Sequence, residues 1–160
     1  MAAGIDDFDQ MMRDNIRAVT AYARSIASHK DIAEEAVQET FIRAWRYSSS
    51  YRGDAPVLSW LITICRRVVV DLGQRHTFHA HDEIPDALQD PTDTYEMTAL
   101  VDLVAALPLP QREVLVLCGI LGFDYETAAE TLSIPVGTVR SRLARARDAL
   151  TSEMRQALAV

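Results

Sequence analysis

Apolar residues recur every three or four positions along the longest segments of this chain. Between residues 6 and 28 they fall at Phe8, Met12, Ile16, Val19, Ala23 and Ile26. An α-helix brings residues with this spacing to one face, whereas a half-buried strand requires strict alternation of apolar and polar residues. Because 49% of the 160 residues are hydrophobic, the chain can bury a core in one ordinary domain or in two small ones. The spacing predicts an all-α fold.

Turn-forming residues divide the chain into successive helical segments. We predict helices over residues 6–28, 32–47, 56–74, 95–107, 111–121, 125–132 and 136–157. Asp31 and Glu34 have the spacing of a capping box, which predicts the start of the second helix. The third segment is rich in Val and Ile, so a strand is an alternative there, but its length favours a helix.

Acidic charge is concentrated between the two groups of predicted helices. The chain has a net charge of −7, and residues 76–110 carry seven acidic side chains and no Lys or Arg. The segments before and after them are each neutral, so the acidity of the whole chain does not exclude a nucleic-acid-binding domain. Residues 76–93 contain two prolines and no helical periodicity. We therefore predict two small helical domains, residues 6–75 and 95–157, joined by a flexible acidic linker at 76–94.

Residues 124–147 have the pattern of a helix-turn-helix, in which a short helix and a tight turn precede a longer basic helix. One face of the longer helix is apolar and is predicted to pack on the core; it contains Val136, Val139, Leu143, Ala146 and Leu150. Small residues and one arginine lie opposite, at Gly137, Thr138, Ser141, Ala144 and Arg145. Small residues allow the backbone to approach DNA bases closely, and Ser141 and Arg145 can then donate to base edges.

Further arginines flank this outward face of the last helix. Arg140, Arg142 and Arg147 lie at its margins, from which long side chains reach phosphates. Residues 131–147 carry four arginines and no acidic residue. A solvated amphipathic helix is the alternative, but such helices normally mix charges of both signs. The pattern therefore indicates DNA binding.

The second helix presents a polar face that includes large apolar residues. The residues predicted to point away from the core are Glu35, Gln38, Glu39, Ile42 and Arg46, with Trp45 at the edge. An exposed Ile and Trp among charged residues are typical of a protein-docking surface. Ordinary surface variation is the alternative, because single exposed apolar residues are common.

The third helix and the loop before it combine aromatic and basic residues. The polar stripe of the helix contains Ser59, Thr63, Arg66, Arg67 and Gln74, with Trp60 on its border, and the loop contributes Tyr47, Tyr51 and Arg52. Aromatic rings beside arginines can stack on unpaired bases. The alternative is that Trp60 belongs to the core and that the arginines are solvated.

Three stretches of the chain resemble one protein family. They are AEEAVQETFIRAWR at 33–46, YRGDAPVLSWLITICRRVVVDLGQR at 51–75 and LPLPQREVLVLCGILGFDYETAAETLSIPVGTVRSRLARAR at 107–147. Together they resemble the extracytoplasmic-function (ECF) class of bacterial sigma factors. The resemblance implies a sigma2 domain, a linker and a sigma4 domain, in a non-enzymatic protein without a cofactor that directs core RNA polymerase to promoters.

The resemblance also implies roles for particular residues. Binding to the β′ clamp helices of the polymerase is expected from Glu35, Gln38, Glu39, Ile42 and Arg46. Capture of a flipped base of the −10 element is expected in loop 48–55, from Tyr51, Arg52, Gly53 and Asp54. Contacts with nearby −10 DNA are expected from Trp60, Thr63, Arg66 and Arg67. Binding to the −35 element is expected from Arg112, Thr138, Arg140, Ser141, Arg142, Ala144, Arg145 and Arg147.

Further partners and some departures accompany the resemblance. The β subunit of the polymerase and an anti-sigma factor are expected partners, beside promoter DNA. Many family members have Asn at the position of Arg67, Ala at that of Cys65 and a large side chain at that of Ala144. These differences affect the promoter sequence that is read rather than the role of the protein.

Several remaining features each have two interpretations. The chain has no apolar run long enough to span a membrane and no signal peptide, so we expect no membrane insertion and a cytoplasmic location. The predicted linker offers imidazoles that suit Zn²⁺, at His76, His79 and His81, but no scaffold to orient them, so we expect no metal site. Cys65 and Cys118 are expected to be buried and reduced, with a regulatory disulfide as the alternative. The alternative function is a helix-turn-helix regulator with a helical dimerisation or sensing domain.

Overall fold

The computed structural model describes residues 7–77 and 101–159 of the chain. These residues form helices joined by turns, and no strand occurs among them, which confirms the all-α fold. The helices are α1 (Phe8–Ile26), α2 (Lys30–Arg46), α3 (Val57–Thr77), α4 (101–105), α5 (Leu109–Val114), α6 (Tyr125–Leu132) and α7 (Val136–Leu158). They belong to two compact units, which contain α1–α3 and α4–α7.

The core of the first unit forms where α1, α2 and α3 pack on one another. Its buried side chains include Val19, Tyr22, Phe41, Leu61 and Ile62. Complete burial of a Val, Leu, Ile or Phe side chain contributes about 1.5–3 kcal/mol of transfer free energy. The predicted stripe on α1 is correct at Val19 and Ala23, but Ile16 is 40% exposed. Tyr22, which lies outside the predicted stripe, is fully buried instead.

The predicted capping box of α2 is wrong. The helix begins at Lys30, so Asp31 lies in its first turn rather than at its cap. His29 occupies the cap position in an extended conformation, and its side chain makes no capping hydrogen bond. Glu34 does not complete a box, because it pairs with Lys30 one turn before it, with Nζ 3.9 Å from Oε1.

The two prolines near residue 110 precede and open α5. This helix begins at Leu109 instead of residue 111, with Pro110 inside its first turn, where a missing N–H costs no helical hydrogen bond. The chain then widens into a π-helical turn, Leu115–Ile120, after which the Leu121 N–H donates to Val116 O at 2.9 Å. Gly122 follows with a φ of 73°, a left-handed conformation that favours glycine and ends the helix as predicted.

α6 and α7 form the predicted helix-turn-helix. Asp124 caps α6, since its carboxylate accepts a hydrogen bond from the Thr127 N–H at 2.7 Å. Ser133 ends α6 in the left-handed region with a φ of 55°, and the Ile134 N–H donates to Ala129 O at 3.0 Å. The predicted bounds of α6 are confirmed, and those of α7 agree to within one residue.

The predicted linker falls almost entirely outside the described residues. α3 continues to Thr77, beyond its predicted end near residue 74, so residues 76 and 77 are helical. Residues 78–94 lie outside the described residues, as do residues 95–100 of the fourth predicted helix. His79 and His81, at which we expected no metal site, lie there too, and the side chain of His76 is not described. Among the described helices, none combines the length and the hydropathy that a membrane crossing requires.

Candidate nucleic-acid interface

The outward face of α7 carries small and basic side chains. Val139, Leu143 and Ala146 are buried, as their spacing predicts, where α7 packs on α5 and α6. Exposed on the opposite side and at its margins are Arg140, Ser141, Ala144, Arg145 and Arg147, while Thr138 and Arg142 are half-buried. Residues 136–147 contain four arginines and no carboxylate. This side of α7 therefore has a local positive charge although the chain as a whole is acidic.

An aromatic ring of α6 lies against one of these arginines. Arg140 Cζ is 5.8 Å from the ring centroid of Tyr125, the first residue of α6. That separation is within the range of cation–π attraction. The sequence pattern nominated Arg140 but not Tyr125, because the contact joins two different helices and has no signature in either one alone.

Arg112, an expected −35 contact, is half-buried in the second unit. Its Nη2 donates to Leu107 O at 2.9 Å, across the turn that precedes α5. Burial lowers the pKa of its guanidinium, while the neighbouring Glu113 raises it. Part of the donor capacity of Arg112 is therefore already used within the protein.

The outward face of α2 has the predicted orientation except at one residue. Exposed on it are Glu35, Gln38, Ile42 and Arg46. Glu39 is only one-third exposed, because its carboxylate accepts a hydrogen bond from Arg43 Nε at 2.8 Å. This pairing turns Glu39 toward its own helix rather than toward solvent.

Large apolar residues remain accessible on the same helix. Ile42 is 46% exposed and Trp45 is 63% exposed. The ring of Trp45 contacts Phe8 of α1 edge-on, with the centroids 5.1 Å apart. Trp45 is thus exposed, as predicted, and α2 offers a mixed apolar and charged surface.

Two cavities border the ring of Trp60. One, of about 190 Å³, is lined by Ser50, Tyr51, Arg52, Asp54, Ala55 and Trp60. The other, of about 400 Å³, is lined by Arg43, Tyr47, Ser50, Trp60, Ile64 and Arg67. The indole of Trp60 is therefore half-buried within the first unit, and its accessible part borders two openings whose walls include aromatic and basic side chains.

The loop before α3 is shaped by its own contacts. The rings of Tyr51 and Trp60 lie 5.1 Å apart at 41°, and the Tyr51 hydroxyl donates to Ala55 O at 2.6 Å. Gly53 has a φ of 77°, where a side chain would strain the backbone. Arg52 and Asp54, on either side of it, are exposed. Tyr51 and Gly53 thus fix the loop, and Arg52 and Asp54 are presented to solvent.

The polar stripe of α3 is only partly accessible. Arg67 is exposed and lines the larger cavity, whereas Thr63 and Arg66 are half-buried. The Thr63 hydroxyl donates to Ser59 O at 3.0 Å within the helix. Arg67 is therefore the most accessible of the three expected −10 contacts on this stripe.

Two residues of the larger cavity, Arg43 and Ile64, were missed from the sequence, whereas Tyr47 was among the aromatic residues that it indicated. Their spacing contained a signal, since Arg43 and Tyr47 are four residues apart and Ile64 shares a helical face with Trp60. Arg43 is also held by Asp71 of α3, with Nη1 3.5 Å from Oδ2. The hydrogen bond to Glu39 raises the pKa of Arg43, against the effect of burial, and Asp71 raises it further.

Both cysteines are free thiols. Cys65 is buried in α3, where burial raises its pKa to about 11 against a contact with Thr40 that lowers it. Cys118 is half-buried rather than buried, in the π-helical turn, and burial raises its pKa as well. Within residues 7–77 and 101–159, no group of three His, Cys, Asp or Glu side chains is arranged to hold a metal ion.

Both units match models of one protein family. The model of Sigma-70 region 2 matches residues 11–78, and that of Sigma-70 region 4 matches residues 97–150. Over 156 residues the chain is 31% identical to the ECF RNA polymerase sigma factor SigC of Mycobacterium tuberculosis, covering 93% of this chain and 82% of that protein. The chain belongs to the ECF RNA polymerase sigma factors. It directs promoter-specific transcription, and the alternative of a helix-turn-helix regulator with a helical dimerisation or sensing domain is not favoured.

Other proteins that are similar to this sigma factor are sigma factors as well. SigM of Mycobacterium tuberculosis is 34% identical over 149 residues, covering 88% of this chain and 73% of that protein. The sigma factor RpoE, solved with the anti-sigma factor NepR from Bartonella quintana, has a TM-score of 0.81 and 28% identity, with 94% of this chain and 98% of that chain covered. CnrH, solved with the cytosolic domain of CnrY, has a TM-score of 0.72 and 26% identity, with 93% of this chain and 88% of that chain covered.

Proposed function

We propose that this sigma factor binds core RNA polymerase and the −10 element through its first unit and the −35 element through α7. The observation that carries the proposal is the outward face of α7, where small side chains lie between four arginines. Residues 1–75 and 111–160 are each neutral overall. Because non-specific affinity for DNA depends on net positive charge, we expect the free protein to bind DNA weakly and the polymerase to supply much of the binding.

Contacts with the −35 element divide into two groups. Ser141 and Arg145 lie on the exposed face, where a guanidinium can bind a guanine edge through two hydrogen bonds. Thr138 and Ala144 are small enough for the backbone to approach the bases. Phosphates are the proposed ligands of the remaining basic residues, which are Arg112, Arg140, Arg142 and Arg147.

An unpaired base of the −10 element is the ligand that suits the cavities beside Trp60. A base can stack on the accessible part of the indole, and such stacking contributes about 1–3 kcal/mol per base. Arg52 lines the smaller cavity beside Asp54, and Arg67 lines the larger one, so each opening offers a guanidinium to the phosphates that flank the base. Gly53 and Asp54 complete the loop on which Arg52 is carried.

The polymerase is proposed to dock its β′ clamp helices on the outward face of α2. Ile42 and Trp45 supply apolar area there, and Gln38 and Arg46 supply polar contacts around it. The β subunit is a second proposed contact. An anti-sigma factor is a proposed regulator, because the similar RpoE was solved with NepR. We place the protein in the cytoplasm and assign it no catalytic step.

Transcription in vitro with purified core RNA polymerase tests the proposal. Genomic DNA fragments are transcribed by core polymerase with and without the protein, and the 5′ ends of the transcripts are mapped. We expect new start sites that share sequences near −10 and −35. Arg145→Ala should reduce transcription from them, whereas Arg155→Ala, at an exposed arginine farther along α7, should not. If the protein adds no start site yet binds duplex DNA tightly by itself, the proposal is wrong and the protein is a DNA-binding regulator.

A further inference from the structure

We infer that Tyr125 is a positioning residue for −35 recognition, because its ring holds the guanidinium of Arg140 beside the path of the DNA backbone. The inference rests on the proposed function of α7. Tyr125 is the first residue of α6, and Arg140 lies in the second turn of α7. The contact, 5.8 Å from Arg140 Cζ to the ring centroid, therefore joins the two helices of the helix-turn-helix.

Backbone contacts fix the two partners relative to each other. Tyr125 starts α6 because Asp124 caps the helix. The turn into α7 is closed by hydrogen bonds from the Ile134 N–H to Ala129 O at 3.0 Å and from the Thr138 N–H to Pro135 O at 2.9 Å. The Tyr125 side chain is half-buried, whereas Arg140 is exposed. The ring is thus the better anchored partner, and the flexible arginine is the one that is oriented.

A planar guanidinium can serve both partners at once. Stacking on an aromatic ring uses the face of the group, and binding to a phosphate uses the N–H donors at its edge. An unconstrained arginine loses rotamer freedom when it binds, and stacking in the free protein reduces that loss. In a helix-turn-helix the first helix crosses the DNA backbone while the second enters the major groove. A side chain between the two helices therefore lies near phosphates, and Tyr125 acts on DNA through Arg140.

A double-mutant cycle between Tyr125 and Arg140 tests this inference, with the full chain bound to core polymerase. Affinity for promoter DNA that contains both elements is measured for Tyr125→Leu, for Arg140→Gln and for the two changes combined. Removing the ring is expected to weaken binding about twofold to fivefold, the size of an exposed cation–π contact. Once Arg140 is replaced, Tyr125→Leu should have no measurable effect. Tyr125→Phe keeps the ring and is the matched control that should bind like the wild type.

Salt dependence separates positioning from a structural role. Affinity falls as salt rises, and each phosphate contact contributes about 0.9 to the steepness of log affinity against log salt. Tyr125→Leu and Arg140→Gln should each lower this steepness by at most that amount, and Tyr125→Phe should leave it unchanged. Thermal unfolding of each variant reports on folding. If Tyr125→Leu lowers the unfolding temperature, Tyr125→Met, with a different apolar shape, takes its place in the cycle.

If the wild-type holoenzyme binds promoter DNA normally, two results would overturn this inference and leave the proposed function intact. One is an equal loss from Tyr125→Leu with and without Arg140, because Tyr125 would then act independently of it. The other is a loss in Tyr125→Phe as large as that in Tyr125→Leu, because the hydroxyl rather than the ring would then be responsible. Absence of promoter-specific binding by the wild-type holoenzyme would instead overturn the proposed function, and this inference with it.

Discussion

Arg43 Nε donates to Glu39 Oε1 at 2.8 Å, one helical turn away on α2. The same guanidinium reaches Asp71 of α3, and it lines the larger cavity beside Trp60. Glu39 is therefore engaged in a contact that links the outward face of α2 to the wall of the proposed −10 site. A partner that binds Glu39 has to compete with Arg43, whereas the exposed Gln38 is directly accessible.

Replacement of Gln38 and Glu39 by alanine is expected to weaken binding to core polymerase. Gln38→Ala alone should account for more of the loss than Glu39→Ala, because only Glu39 is already paired within the protein. The free energy of unfolding should change by less than about 1 kcal/mol, since partly exposed ion pairs contribute little to stability. Titration of labelled protein with core polymerase measures the first effect, and denaturant unfolding measures the second.

Glu130→Ala is the control for this experiment. Glu130 is an exposed carboxylate of the same charge on α6, so its replacement should leave the affinity for polymerase unchanged. If the Gln38 and Glu39 variant binds polymerase as tightly as this control, the outward face of α2 is not the docking surface.

Local signals predicted the ends of some helices and misplaced others. Asp124 and Ser133 act on backbone groups within a few residues, so α6 and α7 follow from the sequence almost to the residue. At α2 the carboxylate of Glu34 could take part in either of two local interactions, a capping box or an ion pair with Lys30. Glu34 has the spacing of a capping box with Asp31, but it pairs with Lys30, and the helix begins earlier than predicted.

The candidate site was predictable as single side chains but not as cavities. Helical periodicity places Gln38 and Ile42 outward correctly, because it uses only the geometry of their own helix. It carries no information on how α2 packs against α3. The ion pair of Arg43 with Asp71 and the position of Trp60 between two openings depend on that packing, so neither follows from the sequence pattern.

Trp60→Ala is expected to weaken binding of the holoenzyme to −10 DNA by about 1–3 kcal/mol, because it removes the ring on which we propose that one base stacks. The measurement uses promoter DNA whose −10 element is single-stranded. Matched DNA without bases at the flipped positions is the control, and it should bind the wild type and Trp60→Ala equally. A loss of the same size on the control DNA would mean that Trp60 supports the loop rather than a base.

Arg145→Ala and Arg147→Ala are expected to differ in their effect on specificity. Both residues are exposed, but Arg145 lies on the outward face and Arg147 at its margin. Loss of a two-point contact to a base should cost about 1–3 kcal/mol on the cognate −35 element and less on substituted elements. Loss of a phosphate contact should weaken binding to all of them about equally. Holoenzyme affinities for a set of −35 sequences distinguish a base contact from a phosphate contact. A uniform loss of affinity in Arg145→Ala would mean that Arg145 contacts a DNA phosphate rather than a base.

Acid should destabilise the cap of α6 through Asp124. The hydrogen bond from the Thr127 N–H stabilises the charged carboxylate and holds the pKa of Asp124 below its ordinary value of 3.8. A carboxyl group whose pKa is lowered by folding stabilises the folded state above its unfolded pKa, and that stabilisation is lost as the pH falls through the folded value. Asp124→Asn keeps a capping oxygen that does not titrate, so it should resist acidification below 3.8 better than the wild type. Asp124→Ala should already be less stable near neutral pH. Denaturant unfolding of the three proteins near neutral pH and below pH 3.8 measures these differences. If the wild type and Asp124→Asn lose equal amounts of unfolding free energy on acidification, the charged cap does not contribute.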